Sequence, residues 1–357
     1  MARELLRRDP ATEIRFVGTA TGIEAGVVPR EGFALDLIRV AGLKGKSRAD
    51  RLKGFLMLPL ATIDAWRLLS RIRPDVVVGV GGFASGPVLA FAALRRFPTM
   101  LLEQNALPGV TNRLLAPMVR AAAVNFEEAL KYFPRTGFVA GNPVRPEFFT
   151  ATGEESHDKT ARPFDSVGSA SGTNLAQGRV LIFGGSQGAH AINVAMVAAA
   201  SRLAATGLEL AITHQTGERD LGLVRGAYEH AGLQARVEAY IFEIDGEMKA
   251  ADLVICRSGA TTLAELTAAG RAAILVPLPN STDDHQRKNA EVLGRAGAAL
   301  VIEERELHDR LAKEIAALVG DRARLAKMKE ISRSMAKPDA AARIADRVEV
   351  LGGKRAR

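Results

Sequence analysis

An alternation of short apolar runs with longer Ala- and Leu-rich segments constrains the fold of this chain more than any other feature. Val, Ile and Leu dominate the short runs, and the longer segments have the length of helices. Crossover helices bury both faces of a parallel strand, so continuous apolar runs of this kind are typical of parallel sheets. The pattern indicates an α/β protein. It predicts strands at Glu13–Val17, Asp75–Val80, Thr99–Glu103, Ala121–Asn125, Val180–Phe183, Leu208–Thr213, Asp252–Cys256 and Ala273–Pro277.

The length of 357 residues suggests two domains of ordinary size. Ala151–Gly178 is rich in Ser, Thr, Gly and charge and lacks apolar periodicity, so it predicts a flexible linker. We expect one domain over 1–145, a linker over 146–178 and a second domain over 179–337. A basic amphipathic helix is predicted at Arg310–Met328. After Pro338, a final helix within 339–353 is expected to pack back on the first domain.

Composition excludes several classes of protein. A single cysteine, Cys256, rules out a disulfide framework and fits a reducing cytoplasm. The sequence has no Cys/His cluster with metal-ligand spacing, and no two aspartates are separated by one residue. The net charge of +8 indicates an anionic partner, but aromatic residues make up only 5% of the chain and do not alternate with basic ones. We therefore expect anionic substrates or a membrane surface, and no nucleic acid.

The segment from Asp252 to Ala290 contains the most informative site pattern. One apolar run ends at Arg257-Ser258-Gly259, after which Ala260-Thr261-Thr262 begin a predicted helix that carries Glu265 one turn in. A second run ends in a polar loop before Asp284-His285-Gln286. Ligands of open α/β sheets bind at the carboxyl ends of the strands, and a helix N-terminus suits a phosphate. A carboxylate one turn further on could hold a ribose by its hydroxyls, so the pattern predicts a nucleotide-sugar site.

A Gly-rich turn, Gly184–Ala189, follows the predicted strand Val180–Phe183 and is a second phosphate candidate, with Ser186 as a hydroxyl donor. The alternative is a tight strand-to-helix connection without a ligand. The turn differs from a P-loop because no Gly-Lys-Ser/Thr follows it. It is also a poor dinucleotide fingerprint, since the next strand ends in His214-Gln215-Thr216-Gly217 rather than an acidic residue.

Two polar segments follow predicted strands in the N-terminal half. Gly79–Pro87 is a Gly-rich turn in which Gly81, Gly82 and Ser85 could hold an acceptor phosphate; the alternative is a packing turn. Glu103-Gln104-Asn105 end another predicted strand, as site residues often do. Helix capping by Asn105 or Thr111 is the alternative use of these side chains.

A mixed apolar and basic segment, Arg51–Arg73, is a candidate membrane patch. Its best apolar candidates are Phe55, Leu56, Met57 and Trp66, with five Arg or Lys residues nearby. The alternative is an ordinary helix packed on the sheet. Elsewhere, His190, His230 and His308 lie in helical patterns without apparent partners and are expected at the surface or in packing positions.

Seven motifs, in order along the chain, resemble those of one family, the MurG N-acetylglucosaminyltransferases of bacterial peptidoglycan synthesis. They are GVGGFASGP at Gly79–Pro87, LEQNALPGVTN at Leu102–Asn112, GNPVR at Gly141–Arg145, FGGSQGA at Phe183–Ala189, HQTG at His214–Gly217, RSGATTLAE at Arg257–Glu265 and DDHQRKNA at Asp283–Ala290. The resemblance runs from about Phe16 to the C-terminus, and the motifs are specific as a set.

The resemblance implies a GT-B fold, in which two Rossmann-like domains face each other across a cleft. It implies inverting transfer of N-acetylglucosamine from UDP-GlcNAc to the muramoyl 4-hydroxyl of lipid I, without a metal or a cofactor. Ser186 would meet the donor phosphate, Glu265 the ribose and Ile241 the uracil, while His285 and Gln286 would contact the sugar. The full implied donor set is Asn105, Arg145, Ser186, Ile241, Ala260, Thr261, Thr262, Glu265, His285 and Gln286.

The resemblance also implies a location and partners. The chain would be peripheral on the cytoplasmic face of the bacterial plasma membrane and would contact anionic lipid. It would act in cell-wall biogenesis, cell shape and division, with other cell-wall assembly proteins as further partners.

The N-terminus departs from the family pattern, because Met1–Arg8 matches the middle of the helix that follows the family's first strand and Gly-rich loop. That loop carries the family's candidate general base, a histidine, so no catalytic base is assigned here. We expect two strands to lack a ladder partner and turnover to be poor. Three alternatives stay open: a UDP-GlcNAc-binding pseudoenzyme, a UDP-sugar transferase for another lipid acceptor and, more distantly, a Rossmann oxidoreductase.

Overall fold

The computed structural model describes residues 1–39, 48–149, 178–185 and 187–353; the side chains of 48–59 and of Phe83 fall outside this description. The predicted linker therefore lies almost wholly outside the described residues. The chain divides into two compact units, the first formed by Met1–Pro143 with the chain from Asp339 onward, and the second by Val144–Pro338.

Short parallel strands and covering helices build the first unit. In chain order its elements are α1 (Ala2–Arg8), β1 (Arg15–Gly18), α2 (Glu24–Arg30), β2 (Ala34–Leu37), α3 (Arg48–Ile72), β3 (Val77–Gly79), α4 (Gly82–Leu94), β4 (Thr99–Glu103), α5 (Val110–Leu115), β5 (Ala121–Val124) and β6 (Gly137–Val139).

The strands of this unit form two separate parallel sheets, β1-β2 and β3-β4-β5-β6. Within the described residues, β1 pairs only with β2 and β3 pairs only with β4, so each has one ladder partner. Val17 of β1 and Val77 of β3 nevertheless pack against one hydrophobic cluster, which contains Ala65, Leu68 and Val88. Apolar packing therefore joins the two sheets where a backbone ladder does not.

The second unit is a single six-stranded parallel sheet with helices. Its elements are β7 (Gly178–Phe183), α6 (His190–Ala204), β8 (Leu210–Gln215), α7 (Leu221–Ala231), β9 (Gln234–Glu238), α8 (Ile244–Ala250), β10 (Leu253–Cys256), α9 (Ala260–Ala269), β11 (Ala272–Leu275), α10 (His285–Ala296), β12 (Ala299–Val301), α11 (Leu307–Gly320) and α12 (Arg322–Ser334). The strand order is β12-β11-β10-β7-β8-β9.

The order of the strands reverses between β7 and β10. From β7 the chain proceeds outward through β8 and β9, and from β10 it proceeds in the opposite direction through β11 and β12. Phe183 and Cys256 are register partners, so the loops that follow these two strands begin at the same level. In open α/β sheets such a switch point forms the ligand crevice.

The last helix, α13 (Ala340–Leu351), belongs to the first unit. Its Ile344 packs under β4 and β5 with Met100. The Arg8 guanidinium of α1 donates to Asp346 at 2.7 Å and to Glu349 at 3.0 Å. Apolar packing and ion pairs thus hold α13 against the unit that contains the chain's N-terminus.

One sequence expectation about these elements is wrong. The single helix predicted at Arg310–Met328 is two helices, because α11 ends at Gly320 and the Asp321 carboxylate accepts from the Arg324 N–H at 2.9 Å to begin α12. Such capping stabilises a new helix start. Four strands, β2, β6, β9 and β12, were not predicted. In the described part of the chain, no helix is long and apolar enough to cross a membrane.

Candidate functional site

The N-terminus of α9 lies directly after β10 at the switch point of the second sheet. Gly259 is the N-cap residue, and as a glycine it has no side chain with which to cap the helix. The first N–H groups of a helix have no intrahelical acceptor, so those of Ala260, Thr261 and Thr262 are oriented toward the crevice side of the loop. Ala260 is buried while Thr261 is exposed. The predicted helix start is therefore present after β10, and anion binding there stays a prediction.

Glu265 lies on α9 between one and two turns from that helix start and is partly buried. Burial raises the pKa of its carboxyl group, and the positive charge of Arg145 partly opposes the shift. The structure therefore brings together two predicted donor-site residues, Arg145 and Glu265. The Arg145 guanidinium also lies 5.1 Å from the centre of the Phe148 ring.

The start of α10 is tied to both neighbouring loops. The Ser258 hydroxyl donates to the Gln286 carbonyl at 2.8 Å, and the Gln286 side-chain oxygen accepts from the Leu278 N–H at 3.0 Å. His285 Nδ1 contacts the Thr282 carbonyl oxygen. Asp283 and Asp284 have φ angles of 54° and 56°. Left-handed backbone at two consecutive non-glycine residues is strained, and such strain clusters at functional sites.

The Gly-rich turn after β7 packs closely against the loop after β8. A Cβ atom at Gly188 would lie 1.9 Å from the Thr216 carbonyl oxygen, and one at Gly217 would lie 2.3 Å from the Gln187 carbonyl oxygen. Both glycines also have positive φ. The two loops therefore approach too closely for any side chain at these positions. Ser186, the predicted phosphate residue, falls outside the described residues.

Sequence reasoning missed Gln215 as a site residue. It ends β8 and is only 4% exposed. Its side-chain nitrogen donates to the Gly185 carbonyl at 2.7 Å, and its side-chain oxygen accepts from the Ile241 N–H at 2.8 Å. Ile241, predicted at the uracil, is 5% exposed. A polar residue at the end of a buried apolar strand was the available sequence signal.

A buried polar network holds the loop that follows β8. His214 is fully buried, with Nδ1 2.8 Å from the Tyr228 hydroxyl and Nε2 3.1 Å from Asn193 Oδ1. The Asn193 amide donates to the Thr216 carbonyl at 2.9 Å and to Asp220 at 2.8 Å. Burial lowers the pKa of His214 to about 3. The imidazole is therefore neutral, and the asparagine oxygen assigns the proton to Nε2.

The expectation that His190 lacks a partner is wrong. Its Nδ1 lies 2.9 Å from Asp220 Oδ2, at the end of the network through Asn193. Burial raises the pKa of Asp220, but hydrogen bonds from Asn193 and His190 outweigh that effect and the net shift is downward. Asp220 is therefore held as a carboxylate.

In the first unit, the Gly-rich turn after β3 leads directly into α4. Gly81 and Gly82 both have positive φ, and Gly81 is the N-cap residue of the helix. The Ser85 hydroxyl is buried, and no hydrogen-bond partner for it is found within the described residues; the same holds for Asn112 Oδ1. A Cβ atom at Gly81 would lie 4.0 Å from that Asn112 oxygen. The turn therefore brings together polar groups that could receive a ligand.

The loop after β4 is organised by the buried carboxylate of Glu103. It accepts from the Asn105 N–H at 2.9 Å and from the Asn112 amide at 2.7 Å. Gly109 is the N-cap residue of α5, without a side-chain cap. The N-cap position of this helix is therefore held by neither Asn105 nor Thr111.

One face of α3 is apolar and exposed. Trp66 is 51% exposed, and Leu60 and Ile63 are also exposed, whereas Ala61 and Ala65 are buried. The spacing of Leu60, Ile63 and Trp66 places them along one side of the helix. The side chains of Phe55, Leu56 and Met57, the other predicted members of the membrane patch, lie outside the described residues.

Comparison with known proteins decides the family. The glycosyltransferase family 28 N-terminal domain model matches residues 1–124, and the family 28 C-terminal domain model matches residues 179–344. A relative from Pelobacter propionicus is 45% identical over 355 residues, covering 98% of this chain and 94% of the relative. The chain belongs to glycosyltransferase family 28. That relative is called a UDP-N-acetylglucosamine–N-acetylmuramyl-(pentapeptide) pyrophosphoryl-undecaprenol N-acetylglucosamine transferase.

Two further similarities agree with family 28. A relative of the same description from Anaeromyxobacter sp. strain K is 45% identical, covering 97% of this chain and 87% of the relative. The crystal structure of Acinetobacter baumannii MurG is 26% identical with a TM-score of 0.77, covering 98% of this chain and 93% of that one. The predicted resemblance to MurG, the GT-B fold and the assignment as a glycosyltransferase are confirmed.

Proposed function

We propose that this family 28 chain transfers N-acetylglucosamine from UDP-GlcNAc to the 4-hydroxyl of the muramoyl sugar of lipid I, which yields lipid II for peptidoglycan synthesis. The observation that carries the proposal lies at the switch point between β7 and β10, where α9 begins after the glycine N-cap Gly259 and carries the partly buried Glu265. Relatives at 45% identity are named for the same donor sugar and a lipid-linked acceptor.

The donor site on the second unit is proposed from the groups around this switch point. The N–H groups of Ala260, Thr261 and Thr262 receive the diphosphate together with Ser186, and the Glu265 carboxylate accepts from the ribose hydroxyls. Ile241 lies at the uracil. The remaining proposed donor contacts on this unit are Arg145, His285 and Gln286.

The proposed chemistry is a single displacement with inversion. The acceptor oxygen forms a bond to C1 of the sugar, the bond from C1 to the phosphate oxygen breaks, and UDP leaves while the hydroxyl proton passes to a base. Negative charge develops on the leaving diphosphate. Helix N–H groups and the helix dipole stabilise such charge without reorganisation, which gives the start of α9 its role in this mechanism.

The acceptor and the membrane are assigned to the first unit. Gly81, Gly82 and Ser85 receive the acceptor diphosphate, supported by the buried Ser85 hydroxyl, which has no hydrogen-bond partner within the described residues. The exposed stripe of Leu60, Ile63 and Trp66, with Phe55, Leu56 and Met57 earlier on α3, enters the surface of an anionic membrane. The protein is peripheral on the cytoplasmic face of the bacterial plasma membrane and supports cell shape and division there.

A transfer assay with radiolabelled UDP-GlcNAc tests the proposal. The full chain is given either lipid I or diacylglycerol in the same detergent, and labelled lipid is separated from the donor. We expect label on lipid I alone, with equimolar release of UDP. Label on diacylglycerol alone would assign the donor site to another lipid acceptor, and donor binding without label on either lipid would favour the pseudoenzyme.

A further inference from the structure

One side-chain amide connects the two loops that are proposed to hold opposite ends of the donor nucleotide. Gln215 reaches Gly185 in the Gly-rich turn after β7 and Ile241 in the segment after β9, at 2.7 Å and 2.8 Å. Gly185 immediately precedes the proposed diphosphate residue Ser186, and Ile241 is the proposed uracil residue. The bond to Ile241 is buried, whereas the bond to Gly185 is partly buried, because Gly185 lies in the exposed part of the turn.

The chemistry of the amide explains why this position requires glutamine. One group on Gln215 must donate to a carbonyl and another must accept from an N–H, which a neutral amide does in one plane. A carboxylate can accept from Ile241 but would repel the Gly185 carbonyl. An apolar side chain would leave the buried Ile241 N–H without this partner, which costs more than the bond contributes, and would release the Gly185 carbonyl from the strand end.

Hydrogen bonds of the next residue and pairing with two neighbouring strands hold the Gln215 backbone in place. The next residue, Thr216, donates through its N–H to the Glu238 carbonyl at 2.9 Å, while its own carbonyl accepts from Asn193. Gln215 is in register with Phe183 on one side and Glu238 on the other. The side chain therefore projects from a rigid strand end, and its two bonds transmit that rigidity to two loops.

We propose that Gln215 is a positioning residue that sets the spacing between the base-binding segment at Ile241 and the diphosphate-binding turn at Gly185. This inference rests on the proposed donor site. The two loops then lie at the separation that a uridine diphosphate requires before it binds. Binding therefore costs little free energy for ordering these loops.

Two substitutions test the role. Gln215→Leu removes both hydrogen bonds at similar volume and should raise the donor KM by about tenfold or more, with the acceptor KM unchanged. Gln215→Glu keeps only the bond from Ile241 while the introduced carboxyl group is ionised. When that group is protonated it can donate to Gly185 and accept from Ile241, as the amide does.

The Gln215→Glu variant should therefore recover donor affinity as the pH falls from 8 to about 5.5, since burial raises the pKa of an introduced carboxyl group. Gln215→Leu should not recover. Glu238 on β9 and the His190–Asp220 pair lie near this strand end, so the ratio of variant to wild-type KM at each pH corrects for their titration.

Ile212→Val on the same strand is the matched control, because it removes a buried methyl group without touching a polar bond. It should lower Tm while leaving the donor KM unchanged. Unchanged donor KM in Gln215→Leu, or equal losses for donor and acceptor, would overturn the positioning role. Absence of UDP binding by the wild-type chain would instead overturn the donor site itself, so the two failures are distinguishable.

Discussion

His214 Nε2 lies 3.1 Å from Asn193 Oδ1 inside the second unit, and this contact begins the chain of hydrogen bonds that ends at the loop carrying Thr216 and Gly217. The imidazole is fully buried and has polar partners on both nitrogens. A buried group with all its partners rigidifies its surroundings, and a partly satisfied one destabilises them. The network therefore explains how a polar loop keeps a fixed position against the Gly-rich turn.

The same contact predicts a pH dependence of stability. The pKa of His214 is lowered from 6.5 to about 3 in the folded protein. Because the folded pKa lies below the unfolded one, the stabilisation is complete above pH 6.5 and is lost as the pH falls toward 3. Between pH 7.5 and 5 the loss should be about 2 kcal/mol.

Urea unfolding at both pH values measures this loss. The unfolding transition that shifts when UDP is added is assigned to the second unit, and its free energy is the one compared. Gln at position 214 can donate to Asn193 and accept from Tyr228 without titrating. His214→Gln should therefore remove about 2 kcal/mol of the pH dependence. Equal pH dependence in wild type and His214→Gln would contradict the assignment of a neutral buried imidazole.

The close approach of two loops predicts opposite outcomes for two glycine substitutions. Gly188→Ala introduces a Cβ atom 1.9 Å from the Thr216 carbonyl oxygen at a φ of 72°, and should destabilise the second unit by about 2 kcal/mol or more. Gly226 lies within α7 with open space around its Cβ position. Gly226→Ala should stabilise by about 0.5–1 kcal/mol.

Thermal unfolding of the two glycine variants beside wild type provides the measurement, and UDP titration adds a second reading. Weakened UDP binding should accompany Gly188→Ala only. If Gly188→Ala has the stability and UDP affinity of wild type, the loops are farther apart than the structure has them.

Within the described residues, the six strands with a neighbour on both sides were all predicted from the sequence, whereas only β1 and β3 of the six edge strands were. The predicted strands, such as Val180–Phe183 and Asp252–Cys256, correspond to β7 and β10, which are covered on both sides and read as continuous apolar runs. The four unpredicted strands all lie at sheet edges. β9, Gln234–Glu238, has a neighbouring strand on one side only and is largely polar, so it does not form an apolar run in the sequence.

The residues of the candidate site were also predicted only in part. Motifs contiguous in sequence, such as the residues that begin α9, placed polar groups at strand ends, where the structure has them. The bridge from Gln215 to Gly185 and Ile241 joins segments far apart in the chain, so no local pattern indicates it. The break at Gly320–Asp321 was missed because apolar periodicity continues from α11 into α12.

Membrane attachment through the exposed stripe on α3 predicts a defect for Trp66→Ala. Trp66 is exposed in the folded protein, so its removal should leave Tm unchanged while costing about 1–3 kcal/mol of affinity for vesicles. Leu223 is similarly exposed but lies on α7 of the second unit, and Leu223→Ala is the matched control.

Flotation with vesicles of phosphatidylglycerol and phosphatidylcholine measures this affinity. Binding should require the anionic lipid and weaken with added salt, since basic residues contribute electrostatic attraction that salt screens. Binding that ignores salt and lipid charge, or equal defects in Trp66→Ala and Leu223→Ala, would contradict attachment through α3.

Calorimetric titration of the full chain with UDP and with 2′-deoxy-UDP tests the donor site most directly. Wild type should bind UDP more tightly than 2′-deoxy-UDP. If the Glu265 carboxylate accepts from the ribose as proposed, Glu265→Ala should lose about 1–3 kcal/mol of UDP affinity together with most of this preference. Glu209→Ala, which removes an exposed carboxylate at the opposite end of β8, should bind like wild type. No UDP binding by wild type, or an undiminished preference for UDP in Glu265→Ala, would contradict the site at α9.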